Sequence, residues 1–290
     1  MKTSSVTEMP PVGAELPAGQ CANCGAVVSS KFCAECGQKT GPVRVTWSTL
    51  MGDLVEGVFN LESRWLRTFG LLFTRPGFLT SAYWQGRRVH YMRPIQVYLV
   101  LSFLYFLALG LSGTALGNVH IGDGSAKGGV SNGVNIQFGT KAAKSGWQQK
   151  LQERAEHLSK SGDASMQRVI RGALTETVPK VMFGMLPIFA LLLKLFYVRR
   201  PYFYTEHFIF ALHTHAFGFA MLLVALLIPF SVAGGLVAVA IPAYFLISQK
   251  KVYGERWLRT VLKFFGVGFL YVICAALAFT VVVMWAVWWS

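Results

Sequence analysis

Four cysteines fall within sixteen residues, as Cys21-x-x-Cys24-Gly25 and Cys33-x-x-Cys36-Gly37. Each CxxC turn lets two thiolates face one ion, and the following glycine permits the tight backbone that closes the turn. Four thiolates make a complete tetrahedral shell, so the predicted chemistry is a structural Zn²⁺ site with no open coordination position. A redox dithiol pair or an iron site uses the same ligands and stays open as a rival. The eight residues between the knuckles suffice for one short hairpin. A module this small needs its metal to fold. Its charges, Lys31 and Lys39 against Glu35, make a poor phosphate-binding face, so nucleic acid is an unfavoured partner.

A second group of chemistry-bearing residues lies in an apolar run: Glu206, His207, His213 and His215. Ionisable groups in hydrocarbon are costly and usually face a partner or a cavity. On a helix, Glu206 and His213 share a face two turns apart, whereas His207 and His213 lie about 120° apart and His213 and His215 about 160° apart. No pair has the i, i+4 spacing with which one helix chelates a metal alone. These residues form either a functional intramembrane cluster or a set of separate bonds to neighbouring helices. Arg199 or Arg200 is the expected partner of Glu206. The fifth cysteine, Cys274, reads as a buried inert thiol.

The elements that must carry these residues are membrane helices. The chain is 53% hydrophobic and 14% charged, with 22 Phe and 8 Trp, and its mean hydropathy is +0.46. That balance makes the bilayer its main solvent. Five spans are predicted, at about 94–113, 178–197, 207–230, 232–248 and 264–288, each near the ~20 residues that cross ~30 Å of hydrocarbon. The fourth is short and holds Gly234, Gly235 and Pro242, so a re-entrant segment is the alternative there. The fold class is thus an all-α polytopic membrane protein with an N-terminal zinc ribbon and interfacial amphipathic helices.

Charge sets the orientation. Lys and Arg number 27 against 13 Asp and Glu. Arg75, Arg87, Arg88 and Arg93, Arg199 and Arg200, and Lys250, Lys251, Arg256 and Arg259 with Lys263 all fall on one side if the N-terminus is cytoplasmic and the C-terminus extracytoplasmic. The expected location is a bacterial cytoplasmic (inner) membrane, with anionic headgroups as a natural contact. The 114–177 loop would be extracytoplasmic, with an amphipathic helix over 147–175. Residues 1–20 lack a signal-peptide core and read as a disordered tail, and residues 21–40 form the ribbon. Residues 44–93 read as cytoplasmic interfacial helices, including a helix from Thr46 or Ser48 to Leu61 and Trp65, Tyr83 and Trp84 near headgroup level. Arg75-Pro76-Gly77 signals a turn. Arg64-Trp65-Leu66-Arg67-Thr68 recurs as Arg256-Trp257-Leu258-Arg259-Thr260, an echo attributed to shared interfacial chemistry rather than duplication.

Several of these residues together resemble a known family. Cys21-Ala-Asn-Cys24-Gly25, Phe32-Cys33-Ala-Glu-Cys36-Gly37-Gln38, Pro76-Gly77, Tyr83-Trp-Gln-Gly86-Arg87-Arg88, Tyr91 and Pro94 resemble the bacterial domain of unknown function 3667. Glu206-His207, Phe210-Ala211-Leu212-His213 and Phe217 resemble a later motif of it. The resemblance implies a membrane protein with a ribbon-like head and no known activity. No hydrolase elbow, P-loop, dinucleotide loop or HExxH is present. The favoured function is a non-enzymatic membrane protein whose head is a cytoplasmic platform for assembly, a protein partner or a homo-oligomer. The alternatives are a small transporter or channel using broken helices, and a membrane enzyme or metal/haem protein using the Glu/His group.

Overall fold

A computed structural model describes residues 19–40, 46, 47, 50, 64–111, 178–228 and 230–289. The expected tail before residue 19, most of the helix over 48–61, the 114–177 loop and its amphipathic helix lie outside the described residues. Among the described residues seven helices follow one another: α1 (Arg64–Thr74), α2 (Phe78–Trp84), α3 (Pro94–Leu111), α4 (Val178–Phe196), α5 (Tyr204–Ala225), α6 (Phe230–Tyr253) and α7 (Trp257–Trp289). Five of them, α3 to α7, are long and apolar enough to cross a membrane. The chain is an all-helical membrane protein with a Cys₄ cluster at its N-terminus.

The chain falls into two compact units, residues 1–105 with 185–272 and residues 106–184 with 273–290. The first holds the head, α1, α2 and the greater part of the spans; the second holds the ends of α3, α4 and α7.

Within the first unit α5 is central. More than half of its apolar stretch (56%) is buried, against 6% for that of α7. α5 packs on α6, where Phe217 stacks on Tyr244 at 3.7 Å. Pro242 does not break α6, which runs unbroken from Phe230 to Tyr253 and is longer than the predicted fourth span. Proline inside a membrane helix is tolerated where neighbours re-satisfy the freed carbonyl. α5 and α7 also begin earlier than hydropathy alone suggests, at Tyr204 and Trp257, because polar first turns do not raise a hydropathy window.

The segment before α3 departs furthest from expectation. Tyr83 and Trp84, expected near headgroup level, are covered by protein; each is only 4% exposed. All of α2 except Phe78 is buried, and α2 packs on α1, α5 and α6. The α1–α2 turn uses Gly77 at φ +78°, a left-handed conformation that favours glycine. A Cβ there would meet Val252 Cγ2 at 3.0 Å and the Ser248 carbonyl at 3.1 Å, so the turn presses directly on α6.

The two Arg-Trp-Leu-Arg-Thr copies have the same local structure. Each opens a helix, leaves its leucine exposed (Leu66 and Leu258) and buries its threonine completely. The Thr68 hydroxyl donates to the Arg64 carbonyl at 2.7 Å and Thr260 to the Arg256 carbonyl at 3.3 Å.

Candidate metal centre and intramembrane polar residues

The two knuckles are built alike. In the first, the Cys21 N–H donates to the Ala26 carbonyl and the Gly25 N–H to the Cys21 carbonyl, both at 2.8 Å. In the second, Cys33 donates to Gln38 at 2.8 Å and Gly37 to Cys33 at 2.9 Å. Gly25 and Gly37 sit at φ +78° and +70°, where a Cβ would be strained. Each knuckle closes with one antiparallel bridge, Gln20 to Val27 and Phe32 to Lys39. Pairing therefore runs across each knuckle and not, as the spacing suggests, as a single hairpin between them.

This geometry brings the four sulfurs together within 4.8 Å of one another. Cys21 to Cys36 and Cys24 to Cys33 are each 3.6 Å apart. A tetrahedral ion with ~2.3 Å bonds to sulfur has sulfur–sulfur edges just under 4 Å, so the set fits one metal ion. The Cys36 backbone N–H, helped by that of Glu35, bonds to Cys33 Sγ and brings its thiol down to about 7, whereas burial and the facing thiols push Cys24 up to about 12 and burial pushes Cys36 up. A thiolate at neutral pH is what a metal needs. Among the described residues this is the one group of His, Cys, Asp and Glu close enough to hold an ion.

The head is attached to the segment that precedes α3. Gln38 Nε2 donates to the Gly86 carbonyl at 2.7 Å, and the Arg88 N–H donates back to Gln38 Oε1 at 3.2 Å. His90 Nδ1 lies 3.1 Å from Asn23 Oδ1. One glutamine, directly after the second knuckle, thus clips the metal-holding loop to the Gly86–Arg88 backbone. Partial burial, with Arg67, Arg64 and Arg87 nearby, holds the His90 ring below its ordinary pKa.

The polar residues of α5 are placed differently. Glu206 Oε2 accepts from the Phe203 N–H at 2.7 Å and so closes the N-terminus of α5. Arg200, an expected partner of Glu206, pairs with Glu255 at 3.3 Å, and Lys263 reaches the same carboxylate at 2.9 Å. Lys250 also donates to the Glu255 carbonyl. Glu255 therefore gathers the basic residues flanking α4, α6 and α7 at one end of the helices.

The three histidines go to three separate partners. His207 Nδ1 lies 2.7 Å from the Tyr253 hydroxyl. His213 Nδ1 lies 3.0 Å from Thr80 Oγ1 of α2. His215 Nδ1 faces the Ala211 carbonyl at 2.9 Å and its Nε2 faces the Tyr271 hydroxyl at 2.8 Å. A carbonyl only accepts, so Nδ1 of His215 carries the hydrogen and Nε2 accepts from Tyr271, which occupies both ring nitrogens. Around His207, Tyr253 stacks on Tyr197 at 3.9 Å, Gln249 donates to the Tyr197 hydroxyl at 3.1 Å, and Lys263 lies 3.9 Å above the Tyr197 ring.

Sequence reasoning missed the partners Thr80, Tyr253 and Tyr271 and the hub Glu255. Tyrosines in greasy helices look like ordinary bulk, and nothing local in Phe78–Trp84 announces burial. Gln38 was within reach, being part of the knuckle pattern that carries the resemblance.

Residues 62–106 match the model of a family described as "Protein of unknown function (DUF3667)", which bears out the resemblance over that stretch. The matched residues take in α1, α2, the Gly86–Arg88 loop and most of α3. No curated protein and no solved structure matches the chain.

Proposed function

We propose that this is a non-enzymatic protein of the bacterial cytoplasmic membrane whose head, holding a structural Zn²⁺, is a cytoplasmic platform for a protein partner. The observation that carries this reading is the Gln38 clip. A head held by two hydrogen bonds from one side chain, with Asn23 on His90 beside them, is fixed to the membrane domain rather than trailing from it. Val27 and Phe32, which close the two knuckles, stay 83% and 53% exposed. A rigid mount carrying exposed apolar side chains suits protein recognition better than chemistry. The same end carries Arg200, Lys250 and Lys263, as expected of a cytoplasmic face against anionic headgroups.

The separate partners of His207, His213 and His215 weigh against a metal centre shared among them in α5, since among the described residues only the four cysteines bring ligand atoms close enough to hold one ion. A photo-crosslinking amino acid at Phe32 in cells tests the platform. We expect an adduct with a protein, lost when Gln38→Ala releases the head. No protein adduct at position 32 or at Val27 would overturn the reading.

A further inference from the structure

We propose that α1 and α2 form a re-entrant helical hairpin that enters the membrane domain from the head's end, with Thr80 on His213 as its latch. It does not depend on what the head binds. Two neighbouring helices serve as depth rulers. α5 and α6 run side by side, and His207 meets Tyr253 at the end where the basic residues lie. Along α5, His213 lies ~13 Å and Phe217 ~20 Å beyond Tyr204 at 1.5 Å per residue. Along α6, Ser248 lies ~7 Å and Tyr244 ~13 Å from Tyr253 on the same scale. Counted instead from the His207–Tyr253 contact, Phe217 lies ~15 Å along α5 and Tyr244 ~13 Å along α6, and the two rings stack on one another.

The hairpin touches both rulers, deepest at Phe73 and shallowest at Trp84. Phe73, near the end of α1, packs on Phe217 at 5.7 Å between ring centres. Gly77, in the turn, presses on Ser248 and Val252. Thr80 reaches His213. Trp84, at the end of α2, packs on Tyr253 and Tyr202 at 5.8 and 5.1 Å, back at the charged end. The chain therefore goes in along α1, turns at Arg75-Pro76-Gly77 and comes out along α2. Phe73 reaches a level near the middle of a ~30 Å hydrocarbon layer.

Two chemical features fit this path. Backbone that is not helical is tolerated at membrane depth only when packed against protein, and Gly77 is in contact with the Ser248 backbone. Arg75 at the turn lies over the Phe78 ring at 5.9 Å, on the limb that leads back towards the charged end, the direction in which an arginine must snorkel. α2 is thereby a plug between α5 and α6. The Thr80–His213 bond ties α2 to α5, and the Gln38 clip holds the loop just after α2, at Gly86. His213 is a positioning residue in this arrangement, not a ligand.

The test uses the full-length protein in vesicles of phosphatidylethanolamine and phosphatidylglycerol. Spin labels at Leu66, Gly70, Phe73 and Arg87, all exposed or half-buried, report collision with oxygen against a water-soluble nickel chelate. The expected result is an oxygen preference that rises from 66 through 70 to 73 and is lost at 87. A flat profile, with 73 as open to nickel as 87, would overturn the hairpin. The latch is read at Ser81→Cys, a buried position, with a bulky impermeant maleimide scored by peptide mass. Labelling should be low with His213 present, rise at least several-fold in His213→Ala and fall back in His213→Asn, which keeps a hydrogen-bonding group near Nδ1. Labelling of Ser81→Cys that is equal in all three backgrounds would overturn the latch.

Discussion

The head and the α5 helix each gather polar ligand-type residues, and they use them in opposite ways. In the head, four cysteines converge until their sulfurs lie within 4.8 Å. In α5, three histidines within nine residues diverge to Tyr253, Thr80 and Tyr271. The difference is one of backbone. A CxxC turn folds the chain back on itself, so near neighbours in sequence become near neighbours in space. A helix fans its side chains by 100° per residue, so histidines at spacings of six and two point to different neighbours. Residues able to ligate a metal thus converge on one ion-sized site in the head and serve as separate helix-to-helix fasteners in α5.

Taking the metal away should break this contrast most visibly. Stripping it with a chelator should unfold residues 19–40, seen as rapid amide exchange and new proteolytic cuts there, because two isolated bridges offer no other core. The helices should keep their far-ultraviolet signal. A head that stays protected without metal would refute the convergent half.

Next in size is the turn that seats α2. Gly77→Ala forces a left-handed backbone on alanine and pushes a methyl group towards Ser248 and Val252. A loss of about 1–3 kcal/mol is expected, read as a lowered unfolding midpoint in detergent. Gly70→Ala, at an open helical site, should be neutral or stabilising by up to about 1 kcal/mol.

The fasteners come third. Tyr253→Phe removes the hydroxyl that meets His207 and strands a buried ring nitrogen, and should cost about 1–3 kcal/mol without changing metal content. Loss of bound metal in that variant would mean that the two regions are one site.

The smallest effect is on docking. Gln38→Ala should leave the metal bound while exchange of the Arg88 amide, which loses its acceptor, quickens, for a loss of about 1–2 kcal/mol. His90 adds a pH dependence. Its docked pKa lies below the ordinary 6.5, so undocked heads take up protons first as pH falls. Docking is therefore at full strength above about pH 6.5 and weakens below it until the docked ring also protonates. Exchange at the Arg88 amide that slows on acidification, after correction for intrinsic rates, would contradict this.

Much of the plan could be read from the chain. The knuckles announce themselves because all four ligands are local, and the spans because hydrocarbon demands long apolar runs. What escaped was long-range. Thr80 and His213 are far apart in sequence, and Phe78–Trp84 is too short and too mixed for any periodicity to show which side is covered. Tyr83 and Trp84 read as headgroup anchors because their amphipathic rings favour interfaces, yet tertiary packing, for Trp84 against Tyr202 and Tyr253, decides their place. Pro242 read as a break, whereas the helix continues through it.

The central claim is that the head's cysteines hold an ion and the α5 histidines hold none. Metal analysis of the purified full-length protein tests it directly, comparing the parent chain with Cys33→Ser/Cys36→Ser and with His207→Gln/His213→Asn/His215→Gln. The prediction is one zinc per chain, lost in the cysteine variant and unchanged in the histidine variant. Metal or haem that survives the cysteine changes and disappears with the histidines would contradict it.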